Sequence, residues 1–464
     1  MLGTLFIKEL QNHLYSLRFQ VSMIIAVLIF SIGTPGVVLS IREAQDQYEI
    51  YLKNQATQIE QQATAGLTKV AIARNAFQFR PRANQVLSDC HESTLPNKIT
   101  YSAFNVFGFE VAHGSINPLI KKSQPLTWSF VVVMILSFLS LLFAFDSISG
   151  EKENKTLALT LSNGVSRGTI LFAKFASTIC SLLLIEILSI IIGLIILLIT
   201  GGSEINAALL ADILGFLLLS LLFISCFTAF GIFSSVIAKS SNLSLLISLS
   251  IWLLSAIIIP NSAVFWGTRL FPIESAHSVQ QRINEEYEYL SDNAPPGSWS
   301  SSSDPFYPRN ELRANLQMSL MINEKRHRDL YYAEMMEQFE KTRYFTLLSP
   351  VALFDYSIEA IMGGGYIRFR KNWEDLHIHQ EQFLAWFKEK DAADEGSPHW
   401  YNPHETYSTS NEPVNVEEVP VYSESQIGYG ERIRFMLSYL VVFILYIGVI
   451  FSLSFIFFMR YDPR

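Results

Sequence analysis

The chain has 464 residues, of which 50% are hydrophobic and only 16% are charged, whereas soluble proteins average about a quarter charged. Several runs of about 20 residues carry no charge, and runs of that length are typical of membrane spans. These features exclude a simple soluble enzyme, and they exclude a disordered chain, which would be poor in large apolar residues. The net charge of −8 argues against nucleic acid as a partner, because nucleic-acid binding needs a basic surface.

Six apolar segments are long enough to cross the roughly 30 Å of hydrocarbon in a bilayer as helices. They are Phe19–Ile41, Leu126–Phe145, Phe175–Thr200, Ile213–Ala238, Leu243–Ala263 and Phe435–Met459. The first segment is longer than the apolar core of a cleaved signal peptide, which has about 7–15 residues. We therefore predict an α-helical polytopic membrane protein with six transmembrane helices.

Lysine and arginine positions predict the orientation, because short cytoplasmic loops are enriched in these residues. The short loop Gly201–Asp212 contains neither residue type. The connections on the other side contain Lys8, Arg18, Lys152, Lys155, Arg167, Lys174, Lys239, Arg460 and Arg464. We therefore place both termini in the cytoplasm and the long segments outside it.

The spans and their connections predict the organisation of the chain. It consists of an N-terminal interfacial helix (1–18), transmembrane helix 1 (19–41), a first extracytoplasmic segment (42–125), transmembrane helices 2–5 (126–263), a large extracytoplasmic domain (264–434), and transmembrane helix 6 with a cytoplasmic tail (435–464). Leu2–Leu17 has its leucines on one helical face, as in helices that lie in the membrane interface. A plain helical extension of the first span is the alternative.

The extracytoplasmic segments are predicted to be mainly helical with minor β-structure. Glu43–Phe79 is rich in helix formers and would continue the first span outward, and Asn310–Phe345 has apolar residues at roughly helical spacing. Ser291–Pro308 is rich in proline, serine and glycine, which is typical of a loop. Asp391–Ser425 is expected to be an extended loop with a short strand at Val416–Tyr422.

The most informative segment is the loop 146–170 between the second and third spans. Gly150 is able to interrupt a helix, and the compact polar cluster Glu151–Lys155 follows it. The apolar stretch Thr156–Leu161 ends in a Ser-Asn-Gly turn, and Ser166 is able to cap the next helix. A short helix between two turns at the cytoplasmic face could dock into a groove on a soluble partner.

The pattern D…GEKE…TLxLxLS…SR…K, from Asp146 to Lys174, resembles the corresponding loop of ABC-2 type transporter permeases. In that family this loop carries a coupling helix that contacts the ATPase subunit. The six spans, the interfacial helix, the Ile259-Pro260-Asn261 end of span five and the closing Arg460–Arg464 agree with the resemblance. The resemblance implies that the residues coupling this chain to the ATPase are Asp146, Gly150, Glu151, Lys152, Glu153, Thr156, Leu157 and Arg167.

Large segments outside the membrane are a feature of one branch of the family. They make this chain similar to the permeases of multicopper-enzyme maturation and gliding motility, which implies a protein of the bacterial cytoplasmic (inner) membrane. The resemblance implies two copies of an ABC ATPase subunit as partners, together with a second permease chain that forms either a homodimer or a heterodimer. Membrane lipid surrounds the spans, and a partner protein in the envelope would bind the extracytoplasmic domain.

No phosphate-binding loop of the GxxxxGK[ST] type occurs in the sequence, since Gly363-Gly364-Gly365 lacks the lysine and hydroxyl residue. We therefore expect ATP and Mg to be bound by the partner ATPase and predict no cofactor in this chain. No HExxH or GxSxG motif occurs either. The chain is accordingly predicted to be a permease subunit without catalytic residues of its own.

Glu186 lies near the middle of the third span, where a carboxyl group costs a few kcal/mol on insertion scales. It is either a contact to substrate or to the second chain, or a hydrogen-bonded group facing a hydroxyl on a neighbouring span. The cluster His377, His379, His399 and His404 matches no closed zinc pattern, so surface histidines are favoured over a metal site. The same applies to His91 beside Cys90.

The leading interpretation is the membrane subunit of an ATP-driven ABC-2 type transporter that exports or extracts a substrate which the sequence does not identify. The alternative is a non-transporting scaffold or receptor that acts through its extracytoplasmic domain. The coupling loop discriminates between them, because a receptor would need no short docking helix there. An ion-driven transporter would need more ionisable groups within the spans than Glu186 alone.

Overall fold

The computed structural model describes residues 2–110, 125–201, 206–300, 302, 304 and 306–461. Three short strands, β1 (Asn75–Gln78), β2 (Lys98–Tyr101) and β3 (Val106–Glu110), form an antiparallel sheet in the order β1-β2-β3. The helices are α1 (Leu2–Leu14), α2 (Leu17–Ala65), α3 (Leu67–Ile72), α4 (Trp128–Val131), α5 (Ser137–Ala144), α6 (Ser149–Glu153), α7 (Thr156–Ser162), α8 (Arg167–Thr200), α9 (Ala207–Ile237), α10 (Ser241–Trp252), α11 (Ile259–Leu270), α12 (Ala276–Asp292), α13 (Pro308–Thr346), α14 (Pro350–Met362), α15 (Gly365–Ala392) and α16 (Tyr429–Arg460).

Six of the described helical stretches are long and apolar enough to cross a membrane. Four of them are the single helices α2, α8, α9 and α16. The other two are the stretch from α4 through α6 (Trp128–Glu153) and the stretch from α10 through α11 (Ser241–Leu270). π-Helical turns at Val132–Leu136 and Leu253–Ile258 join α4 to α5 and α10 to α11. The predicted fold class, an α-helical polytopic membrane protein with six spans, is confirmed.

α1 is a separate helix and does not extend the first span. The chain leaves helical geometry at Ser16, whose hydroxyl accepts a hydrogen bond from the backbone N–H of Phe19 and so caps the start of α2. α2 then runs for 49 residues, which at about 1.5 Å per residue is roughly 70 Å. It therefore reaches well beyond the hydrocarbon layer into a second, largely polar part of the protein.

That second part has a core of its own, and we refer to residues 43–110, 271–346 and 365–428 as the head domain. Its core joins the sheet to α3 and α15, with aromatic side chains of α15 at the centre, including Phe369, Trp373 and Phe383. The expected helix at Asn310–Phe345 is present as α13, and the expected loop before it is present over its described residues. α14 belongs to the spans instead, because Phe354 packs against Phe223 of α9 with ring centroids 4.6 Å apart.

Two predictions about the head domain are wrong in part. The helix expected through Phe79 ends at Ala65, because Gly66 has a φ of +119° and a Cβ there would lie 2.4 Å from the carbonyl oxygen of Asn411. The predicted strand Val416–Tyr422 is instead a 3-10 turn followed by extended chain. The N–H groups of Glu418 and Val419 donate to carbonyls within the turn, and the Tyr422 N–H donates to the Tyr101 hydroxyl at 3.3 Å.

The head domain and the α6–α7 loop lie at opposite ends of the helix bundle. Near the start of α9, Asp212 accepts a hydrogen bond from Asn84 of the head domain at 2.7 Å. Near its end, the Ser235 hydroxyl accepts a hydrogen bond from the N–H of Ser149 at 2.8 Å. These two residues of α9 are roughly 35 Å apart at about 1.5 Å per residue, so the bundle separates the two regions by the thickness of a membrane.

Candidate functional site

The α6–α7 loop, residues 145–166, is anchored by its first turn to the ends of two spans. The Ser235 hydroxyl of α9 accepts hydrogen bonds from the N–H groups of Ile148 and Ser149, both at 2.8 Å. The Ser244 hydroxyl of α10 donates to the carbonyl of Phe145 at 2.6 Å. The helix break that was expected at Gly150 occurs before it, at residues 145–148, and Gly150 lies within α6.

Lys152 binds the end of α9 and does not point into solvent. Its ammonium group donates to the carbonyl oxygens of Val236 and of Ala238, the latter at 3.1 Å. A cation at this position also complements the negative end of the α9 dipole. Lys152 lies 4.8 Å from the ring centre of Tyr461 as well, so this side chain ties the loop to the last turns of two spans.

Arg167 has the same function at the end of α16. One nitrogen of its guanidinium donates to the carbonyls of Phe458, Met459 and Tyr461 at 2.6, 2.8 and 2.9 Å. The carbonyls at a helix C-terminus have no partner within the helix. Arg167 supplies that partner from the first turn of α8, and Ser166 caps α8 as predicted.

A charged cluster connects the loop to α1 and α8. Lys174 of α8 is only 5% exposed and pairs with Glu151 of α6 at 2.7 Å and with Glu9 of α1 at 3.2 Å. Asp146 pairs with Arg18 at the start of α2, at 2.7 Å. The predicted residues Glu151 and Asp146 therefore hold the loop against neighbouring helices. Sequence reasoning missed Glu9, which carried no signal beyond its place on the polar side of α1.

α7 is amphipathic over two turns. Lys155, in the left-handed region at φ +58°, turns the chain from α6 into α7. Leu157 is 1% exposed and belongs to an apolar cluster with residues of α5, α8, α9 and α16, whereas Leu159 is 67% exposed. Residues two apart lie on opposite sides of a helix, so one leucine anchors α7 and the other is displayed. Leu159 was not singled out from the sequence, although the Leu-x-Leu-x-Leu spacing was the available signal.

The predicted coupling residues fall into two groups. Asp146, Glu151, Lys152, Leu157 and Arg167 contact other elements of this chain, as described above, and Gly150 lies in α6. Glu153 and Thr156 are exposed, although one oxygen of Glu153 accepts a hydrogen bond from the N–H of Ser241 at 3.2 Å. The exposed residues of this region include Glu153 at the end of α6, Lys155 between the helices, and Thr156 and Leu159 on α7, and we refer to these four residues as the loop surface.

Glu186 lies inside the helix bundle on α8 with no exposed surface, and neither of its carboxylate oxygens has a hydrogen-bond partner. The hydroxyl of Ser220 on α9 faces it and is also buried without a hydrogen bond. One of the two interpretations left open by the sequence was a carboxyl group that faces a hydroxyl on a neighbouring span. Glu186 and Ser220 have this arrangement.

A family model described as ABC-2 family transporter protein matches residues 4–378. The chain belongs to the ABC-2 transporter family. It is thus a membrane permease of an ABC transporter, and the predicted recognition of the family is confirmed. The match does not distinguish branches, so the similarity to the maturation and gliding-motility permeases stays a prediction. No curated protein matches the chain.

The clustered histidines that the sequence suggested have separate partners in this ABC-2 permease. In the described part of the chain, no group of three or more His, Cys, Asp and Glu side chains is placed to hold a metal ion. His399 bonds through Nδ1 to the buried Asp391 at 2.7 Å, and His377 contacts Asp329 at 3.4 Å. Burial raises the pKa of the Cys90 thiol beside His91 to about 12, which keeps it protonated at neutral pH.

Proposed function

We propose that this ABC-2 permease is the membrane subunit of an ATP-driven transporter and that a separate cytoplasmic ATPase docks on the loop surface. The observation that carries the proposal is the combination of a displayed Leu159 with a loop that contacts four spans. Asp146 and Glu151 pair with residues of α2 and α8, and Lys152 contacts the end of α9 and Tyr461 after α16. A force applied to α7 would therefore act on the ends of α2, α8, α9 and α16 together.

The separation of the loop surface from the head domain supports a direction for this coupling. The Lys and Arg bias favours the cytoplasm for the loop end, and the head domain would then lie outside, about one membrane thickness away. Movement of the spans would transmit the ATP-driven closure of the two ATPase subunits to the head domain. The head domain would gate the exit of a substrate or bind an envelope partner. Two permease chains and two ATPase subunits form the complete transporter in this proposal.

Leu159→Asp is the substitution that tests the docking. The tagged chain is purified in mild detergent from its native membranes, and the co-purified ATPase activity is measured together with mass spectrometry for a protein that contains a phosphate-binding loop. We expect Leu159→Asp to reduce the co-purified ATPase by about tenfold or more, because burying a charge in an apolar contact costs several kcal/mol.

Leu330→Asp is the matched control, since Leu330 is 58% exposed on α13 of the head domain and Leu159 is 67% exposed. We expect it to leave the ATPase bound. Retention of the ATPase by Leu159→Asp would contradict docking on α7. A wild-type chain that purifies intact without any ATPase would contradict the transporter proposal and favour the receptor or scaffold.

A further inference from the structure

A cleft of about 480 Å³ lies between the head domain and the adjoining ends of the spans. One wall is the segment Arg80–Asn84, and another is the start of α9 at Asn206–Asp212. The start of α16 contributes Arg432, and Glu424–Gln426 lies across from it. The cleft is distinct from the α6–α7 loop, which is at the other end of the bundle.

Four arginines line the cleft. Arg80, Arg82, Arg368 and Arg432 all face it, together with the carboxylates of Asp212 and Glu424. Arginine is well suited to bind phosphate, because its planar guanidinium donates two parallel hydrogen bonds. The question is whether these four groups are already neutralised by their neighbours.

Three of the four guanidinium groups are paired. Arg368 binds Glu424 at 2.6 Å and shares Glu92 with Arg82, at 3.1 and 2.9 Å respectively. Arg432 is 3.8 Å from Asp212. Counting Glu92, which contacts Arg82 and Arg368, three carboxylates face four arginines among the described residues, and this leaves one positive charge.

The remaining charge is that of Arg80, at the mouth of the cleft. Arg80 is exposed, and its guanidinium makes no ion pair or hydrogen bond within the described residues. Its carbonyl accepts a hydrogen bond from Arg368 at 2.6 Å, which fixes the backbone beside the cleft. A nitrogen of Arg82, Nη2, is also buried without a hydrogen bond.

The position of the cleft relative to the spans indicates how a ligand would reach it. The spans α9 and α16 begin at Ala207 and Tyr429, so the cleft lies at the level of their polar ends, where the headgroups of a bilayer are found. Next to it, Leu210 and Ile433 are 46% and 45% exposed and begin the apolar surfaces of those two helices. A molecule with a polar head and an apolar tail fits both environments.

We propose that this cleft binds the singly charged phosphodiester headgroup of an anionic amphiphile, with Arg80 and Arg432 contacting its oxygens and its tail lying along α9 and α16. One uncompensated positive charge matches the single negative charge of a phosphodiester. The proposal depends on the six spans and on the head domain, and it does not depend on ATPase docking at α7. A phosphodiester could also arrive as a soluble molecule, which the experiment distinguishes.

The test uses the full chain in nanodiscs that contain phosphatidylglycerol or only phosphatidylcholine, with bound lipid measured by native mass spectrometry. We expect preferential retention of phosphatidylglycerol by the wild-type chain. We expect Arg80→Gln to weaken that retention about fivefold, since each arginine near an anionic membrane surface contributes about 1 kcal/mol. Arg80→Lys is expected to keep most of it.

Arg74→Gln is the matched control, because Arg74 is also exposed in the head domain but contacts the ring of Phe107, outside the cleft. Arg80 has no bonded side-chain partner within the described residues, so its substitution should leave folding intact. If glycerophosphoglycerol displaces phosphatidylglycerol from the wild-type chain but not from Arg80→Gln, the result would support the site. It would also show that the site accepts a soluble phosphodiester. Equal retention of both lipids by the wild type, or unchanged retention in Arg80→Gln, would overturn the proposal.

Discussion

Charged side chains at the loop end of the bundle mostly bind backbone carbonyls or each other. Lys152 and Arg167 supply donors to the last carbonyls of α9 and α16, and Lys174 is shared between Glu9 and Glu151. From sequence, the family resemblance implied that Glu151, Lys152 and Arg167 couple this chain to an ATPase. In the structure they hold α6 and α7 in place, and the side chains free to meet a partner are Leu159 and its neighbours.

Glu186 allows a test at the scale of one residue. Glu186→Leu removes two buried oxygens that have no hydrogen bond, and replacing an unsatisfied polar group by an apolar one of similar size is neutral or stabilising. We therefore expect the Tm of the solubilised chain to stay the same or rise. Glu186→Gln keeps polar atoms at this position, so we expect a smaller rise in its Tm.

A clear fall in the Tm of Glu186→Leu would contradict this expectation, and it would indicate that the carboxyl group has a stabilising partner in the assembled transporter. Measuring transport or ATPase stimulation alongside the Tm separates a functional carboxyl group from a structural one. A functional group would lose activity at unchanged Tm, whereas a structural group would change both.

At the scale of elements, α15 is held to the segment after β1 by a buried ion pair network around Glu92. Its carboxylate contacts Arg82 at 2.9 Å, Arg368 at 3.1 Å and the N–H of Gly365 at 3.1 Å. Burial by itself would raise the pKa of Glu92, but the two guanidinium groups outweigh burial and the pKa is lowered. The head domain is therefore stabilised by the ionised form of this carboxyl group.

Glu92→Gln is expected to destabilise the head domain by roughly 3 kcal/mol at pH 7, since it leaves buried arginines without their partner. A lowered pKa contributes stability above the unfolded value and loses it as pH falls through the folded value. The difference in Tm between wild type and variant should thus narrow below about pH 4.3, the ordinary pKa of Glu.

The measurement is thermal unfolding of the full chain followed by tryptophan fluorescence, which includes Trp373 in the head-domain core. Glu374→Gln is the control, because Glu374 is 57% exposed in its pair with Arg370 and exposed pairs contribute little. A difference in Tm that is independent of pH would show that packing, and not the ionised carboxylate, explains the effect of Glu92→Gln.

At the scale of the whole molecule, the bundle places the head domain and the α6–α7 loop at opposite ends, and the expected orientation places them on opposite sides of the membrane. Single cysteines at Ser162→Cys in α7 and Glu288→Cys in α12, both at exposed positions, report on this directly. In intact cells, we expect a membrane-impermeant maleimide to label Glu288→Cys and to label Ser162→Cys only after the membrane is opened.

The native cysteines are a small background for this measurement, because Cys90 and Cys226 are buried and Cys180 is partly buried. The unsubstituted chain labelled in parallel provides the control. Labelling of Ser162→Cys in intact cells, with Glu288→Cys protected, would reverse the orientation and would exclude a cytoplasmic ATPase at α7.

The sequence by itself determined the features that depend on local composition. Long apolar runs predict spans because a bilayer has a fixed thickness, and all six were located in this way. Ser166 was identified as a helix cap from its position alone, since capping is a contact within one turn. The family resemblance likewise depended on a short contiguous pattern between Asp146 and Lys174.

Tertiary structure decided which side chains remain available and where distant segments meet. Leu157 and Leu159 are alike in sequence, and only the burial of Leu157 in a cluster that includes Ile148 and Phe458 makes one an anchor and the other a displayed residue. The end of α2 at Gly66 is set by the close approach of residue 411. The four arginines that line the cleft between the head domain and the spans are separated by up to 352 positions in the chain. Such contacts leave no periodic signal in the sequence, because they are made between elements and not within one.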